Sequence, residues 1–175
     1  MNSSPSGARS ASPAFGEAEL RSLADDINQS SDAAVIFATD ADPAVRQKAL
    51  DILAEAARRT GLPANAVTGF HEKSGTAVLV FRNPVATTRA EVFEELRHLE
   101  WAKAGNWNKD LPGIFTAFEL RELDAAAHFR NLLGQGKITE AEFDETIRNL
   151  AHHLSAPGNL VTEAQARKLL QGLTQ

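Results

Sequence analysis

The spacing of apolar residues changes character near residue 88: helical and alternating stretches interleave before it, and only helical spacing follows. Leu20, Leu23 and Ile27 recur at helical intervals and predict a short helix near 17–29. The run Ala33-Ala-Val-Ile-Phe-Ala38 is apolar throughout and strand-sized. Asp42 and Pro43 then supply an N-cap and a first-turn proline, and Gly61 with Pro63 supplies a stop. The helix between them turns Val45, Ala49, Leu50, Ile52, Leu53 and Ala56 inward. Two further strands, near 66–71 and 75–82, flank the turn Glu72-Lys-Ser-Gly75 and predict a hairpin. Val78 and Val80 alternate with Ala77, Leu79 and Phe81, so the second strand is apolar on both faces and belongs in the middle of a sheet.

Helix signals dominate the rest. Thr88-Arg-Ala-Glu91 has the form of a capping box, and Gly105 closes the helix that it opens. The next helix is expected over 115–133 and is ended by Gly134. Thr139-Glu-Ala-Glu142 and Thr162-Glu-Ala-Gln165 open two more, running to about 154 and 173, and Phe143, Ile147, Leu150 and Leu154 form a core stripe on the first of these. The expected fold class is α+β, a small three-stranded sheet with packed helices and a helical C-terminal half. Residues 17–175 read as a single domain. Residues 1–16, rich in Ser, Pro, Gly and Ala, read as a disordered tail or a linker to further chain.

Composition narrows the function classes. With 43% apolar and 23% charged residues, the chain is of globular type. The net charge of −5, from 18 basic and 23 acidic side chains, argues against a nucleic-acid partner, which needs a basic face. The longest apolar runs are too short to span a membrane. The N-terminus has no apolar segment of the Sec type, so the expected location is cytoplasmic, or outside by a route without a cleavable Sec signal. Zero cysteines exclude a disulfide scaffold, a thiolate zinc site and a thiol nucleophile.

Candidate chemistry gathers in Glu94-Glu95-Leu-Arg-His98, on the helix opened by Thr88. Positions i and i+4 lie one turn apart on one face. In zinc hydrolases of the His-Glu-x-x-His type that pair holds the metal, and the intervening Glu is the general base. Here the first ligand would be the Glu94 carboxylate, an acceptable zinc donor. Glu119 and Glu122, 21 and 24 residues past His98, are placed to supply a third. A second reading fits the same residues. Val92, Leu96 and Leu99 face one way and Glu91, Glu94, Glu95, His98 and Ala102 the other, as on any solvated amphipathic helix. Elsewhere, His71 has no second histidine one turn on, His128 pairs in sequence with Asp124, and His152-His153 suits a helix C-terminus. Trp101 and Trp107 either anchor a loop or form a wall of a cleft beside His98.

The order strand, polar loop, motif helix and acidic helix over about residues 75–154 resembles the zincin-like metallopeptidase domains found as C-terminal toxin modules of bacterial polymorphic-toxin and effector systems. The resemblance implies a zinc-dependent, peptidase-type hydrolase with a zincin-like fold. In it Glu95 is the general base, and Glu94, His98 and Glu122 are the metal ligands, Glu94 standing where the family carries its first histidine. It also implies a protein substrate or partner and an inhibitor (immunity) protein. The alternative is a non-catalytic protein-interaction module that keeps the scaffold.

Overall fold

A computed structural model describes residues 10–156 and 158–174. In chain order the elements are α1 (Glu17–Asn28), β1 (Ala33–Phe37), α2 (Pro43–Thr60), β2 (Ala66–His71), β3 (Thr76–Phe81), α3 (Arg89–Lys103), α4 (Ala117–Gly134), α5 (Glu140–Leu154) and α6 (Glu163–Thr174). The protein is therefore α+β, with six helices and a three-stranded mixed sheet among the described residues. None of these helices is long and apolar enough to cross a membrane.

The strand order is β1-β3-β2, so the doubly apolar strand is central as its pattern requires. It pairs parallel with β1 and antiparallel with β2. Strand alternation then divides the core. Val35, Phe37, Ala77, Leu79 and Phe81 point to one face, where they meet Leu20 and Ala24 of α1 and Val92 and Leu99 of α3. Ile36, Val78 and Val80 point to the other, against Ala49, Ile52 and Leu53 of α2. A separate cluster joins Phe129 and Leu132 of α4, Phe143, Leu150 and Leu154 of α5, and Ala166 and Leu170 of α6. Helix α3 lies between the two halves, giving Val92 and Leu99 to the sheet and Ala90 to the helices.

Local signals set the helix ends. The Asp42 side chain accepts from the Ala44 N–H at 2.8 Å, and Gly61 takes a left-handed φ of 73° that a side chain would resist. The boxes at Thr88, Thr139 and Thr162 form as expected. A fourth, Thr116-Ala-Phe-Glu119, opens α4 and was not anticipated. Three expectations are corrected. Gly134 lies inside α4, and the left-handed turn falls at Gly136, two residues later. Leu50, expected in the core, is 37% exposed, because α2 covers the sheet only along the Ala49–Leu53 line of its surface. Of the expected tail, residues 1–9 lie outside the described residues, but 10–16 are docked: Ala14 bridges Thr88, and the Phe15 N–H donates to the Thr87 carbonyl at 2.9 Å.

That docking converges on Glu142, the fully buried third residue of α5. Its carboxylate accepts from Arg89 Nε at 2.7 Å and Nη2 at 2.5 Å, from Ser12 Oγ at 3.0 Å and from the Thr139 N–H at 2.8 Å. The Arg89 guanidinium holds the Glu142 carboxyl at about 2, well below the ordinary 4.5. One side chain thus joins the N-termini of α3 and α5 to the strand-like segment before α1. Replacing Glu142 by Gln leaves Arg89 without its counter-charge and is expected to cost about 3 kcal/mol at neutral pH. The contribution is full above pH 4.5 and is lost as pH falls towards about 2, so the gap between wild type and Glu142→Gln should close across that window. Urea midpoints measured from pH 7 to pH 2.5 test this; a gap that ignores pH would mean that the charge of Glu142 does not support the fold.

Candidate metal centre

The polar stripe of α3 does not face bulk solvent. Glu95 and His98 are 6% and 7% exposed, and the stripe forms part of the lining of a cleft of about 810 Å³. The cleft is bounded by α2, the 62–65 loop, β2, α3, α4 and α5, with Trp107 at its margin. Two packing demands on α3 produce this. Its apolar residues are already committed to the sheet on one side and to the helical cluster on the other, so the remaining face looks across to Glu122 of α4 and His153 of α5.

Glu122, 3% exposed, is the centre of the group. His98 Nε2 lies 3.4 Å from its Oε1, and His153 Nδ1 lies 3.1 Å from its Oε2. His98 Nε2 is also 3.8 Å from Glu94 Oε1. Burial alone would raise the Glu122 carboxyl, but His153 and His98 hold it well below the ordinary carboxylate range. Burial would likewise lower both imidazoles; Glu122 outweighs it in each case, raising His153 to about 9 and, with the help of Glu94, His98 well above 6.5. Glu95 has the opposite fate. It accepts from Thr68 Oγ1 at 2.6 Å, yet burial raises its carboxyl to about 7, against the pull of His98.

The residues named from sequence, Glu94, Glu95, His98 and Glu122, all line this one cleft. Within it, Glu94, Glu122 and His153 each present an atom such that all three lie within 4.8 Å of one another. Donors held about 2.0–2.2 Å from a single zinc lie roughly 3–4 Å apart, so a modest side-chain closure would suffice. Two carboxylates and an imidazole suit a divalent cation. The residues present therefore fit a metal ion.

His153 is the member that sequence reasoning missed, having been assigned to the end of α5. It does sit in the last turn, but Glu122 draws it inward while His152 stays exposed. No local signal distinguishes the two; only the packing of α5 on α4 does. Glu119 is removed as a ligand candidate, since its carboxylate caps Thr116 at 2.9 Å and accepts from the Leu160 and Val161 N–H groups. Asp124, paired in sequence with His128, instead takes two hydrogen bonds from Arg97, at 2.7 and 2.9 Å. Trp107 is a cleft wall, stacked near Phe70 with ring centroids 5.8 Å apart, whereas Trp101 lies outside the lining.

His153 gives the network a direct readout. In metal-free protein its imidazole should titrate near 9 by NMR, and Glu122→Gln should return it towards 6.5. Because the folded value is the higher, the pair stabilises fully below about 6.5 and loses that contribution as pH rises through about 9. A wild-type midpoint at or below 6.5 would mean that the pair is not formed.

Comparison of the chain with protein-family models, with curated proteins and with solved structures found no match.

Proposed function

We propose that this chain is a metal-dependent hydrolase of the peptidase type on a zincin-like scaffold, an effector or toxin domain with a degenerate Glu-Glu-x-x-His motif. One observation carries the reading: Glu94, Glu95 and His98 of α3 meet Glu122 of α4 and His153 of α5 in one cleft. Glu94, Glu122 and His153 would hold the ion, with His98 close enough to Glu94 and Glu122 to join them. Zinc is the metal proposed, and when bound it supplies Lewis acidity.

Glu95 is the proposed general base. A carboxyl raised to about 7 is matched to accepting a proton from an attacking water at neutral pH and returning it to a leaving amine. Thr68 fixes its orientation from β2. The buried position of Glu95 limits competing exchange with bulk water, which is what a proton carrier in such a cleft requires. The substrate would be protein or peptide, and a dedicated inhibitor protein would occlude the same cleft.

A second reading has its own support. Glu122 already has two imidazole partners, so the network stands as a buried ionic cluster without any ion. A non-catalytic interaction module that keeps the scaffold would look the same at this level.

Elemental analysis separates the two. The hydrolase is expected to carry close to one zinc per chain when purified without chelators, and Glu122→Gln or His153→Ala should lose most of it. Glu95→Gln should keep both fold and zinc while peptide hydrolysis drops about 10²–10⁴-fold. Wild-type protein that takes up no transition metal at micromolar concentration would leave the interaction module standing.

A further inference from the structure

The cleft contains a cation that the proposed metal site does not use. Arg121, on α4 beside Glu122, is only 7% exposed. Its guanidinium carbon lies 3.7 Å from the centroid of the Trp107 ring and 5.6 Å from that of Phe118. Among the described residues it has no hydrogen-bond or ion-pair partner. Nor are its nitrogens sealed in the interior. The sealed, partnerless side-chain atoms are His98 Nδ1 and Trp101 Nε1, whereas Arg121 lines the cleft.

A guanidinium only 7% exposed gives up most of its hydration, and a ring face offsets only part of that cost. Glu122 and Glu95 are near enough for their charges to act on it, but neither hydrogen-bonds it. Both are also committed elsewhere, Glu122 to the two histidines and Glu95 to Thr68. What Arg121 lacks is a planar anion. Arg59 of α2 lines the same cleft and adds a second positive charge.

We propose that Arg121, backed by Trp107, seats a carboxylate of a peptide bound in the cleft, carried by an acidic side chain or by a free C-terminus. A guanidinium lying on a ring keeps its N–H edge for in-plane, two-point recognition of a carboxylate. A polyanion is disfavoured, because Asp51, Glu55, Glu91 and Glu94 line the same space and repel dense negative charge. That the bound peptide would be a substrate rests on the hydrolase reading; the anion seat itself does not.

The test is calorimetric titration of the full chain with three acetylated tripeptides: Ala-Glu-Ala amide, Ala-Gln-Ala with a free carboxylate, and Ala-Gln-Ala amide as the neutral control. One of the two acidic peptides is expected to bind about tenfold tighter than the control, and which one it is identifies the source of the carboxylate. Arg121→Met should abolish the preference, and Arg121→Lys, which keeps charge but not the fork, should lose most of it. If Arg121→Met does not fold, Arg121→Lys and Trp107→Leu carry the comparison. Equal affinity for all three peptides, no heat from any at millimolar concentration, or a preference that survives in the variants overturns the proposal. Zinc measured on the same samples keeps the two ideas apart. An Arg121-dependent preference in protein that takes up no zinc sinks the hydrolase and leaves the seat, and zinc without the preference does the reverse.

Discussion

Glu122 must be paired because it is buried, and much of the architecture follows from how that pairing is met. A carboxylate 3% exposed cannot stay ionised without hydrogen-bonded counter-charges. Those at hand are His98 and His153, 24 residues before it and 31 residues after it, on two other helices. Satisfying Glu122 therefore requires α3, α4 and α5 to meet at one level. The register of α3 that delivers His98 also carries Glu94 and Glu95, four and three residues earlier, into the same space. The cleft and its chemistry share a cause with the packing of the helical half.

The same economy recurs at the helix starts. Four boxes place an acidic or amide side chain at the third position, and two of these reach beyond their own helix. Glu119 caps α4 and also accepts from the backbone ahead of α6. Glu142 caps α5 and also binds Arg89 and Ser12, tying in α3 and the segment before α1. A box isolated on a peptide stabilises one end of one helix. Here the two buried glutamates convert local caps into tertiary joints, so the helix N-termini hold their mutual orientation around the site.

The sequence was legible at most places where a local rule decided the outcome, the Thr116 box and the stop at Gly134 being the exceptions. Asp42-Pro43 and Gly61 bracket α2, and the double apolar face of β3 places it between β1 and β2, because those features act within a few residues or on a strict two-residue period. That Glu94, Glu95 and His98 share one turn of a helix was legible for the same reason. Leu50 was misplaced because hydrophobicity indicates a helix face only to within about a turn, and the sheet covers a narrower strip than the apolar stripe. The stripe of α3 could be read as solvated or as a site, since amphipathicity does not say what lies opposite the polar face. The pairing of His153 with Glu122 and of Glu119 with the backbone ahead of α6 depended on contacts 31 to 42 residues away in the chain, and the position of Arg121 on a cavity, which no spacing rule reaches. The docking of 10–16 was hidden too: Ser12 is an unremarkable residue until Glu142 meets it.

In the proposed site, the histidine that a His-Glu-x-x-His pattern would place at position 94 has a physical counterweight in His153. A Glu at position 94 replaces a neutral donor by a charged one, which strengthens attraction for a divalent ion but also for protons. Glu122 has the same double action, since the charge that would draw the ion is the one that raises both imidazoles. In the proposed site, metal and protons therefore compete for the same nitrogens, and ion entry must release what the histidines hold. His153, from a third helix, brings an imidazole to the two carboxylates, a nitrogen donor in an otherwise oxygen-rich set. The motif on α3 is degenerate when read along the chain. Across the three helices the proposed donor set is closer to balanced.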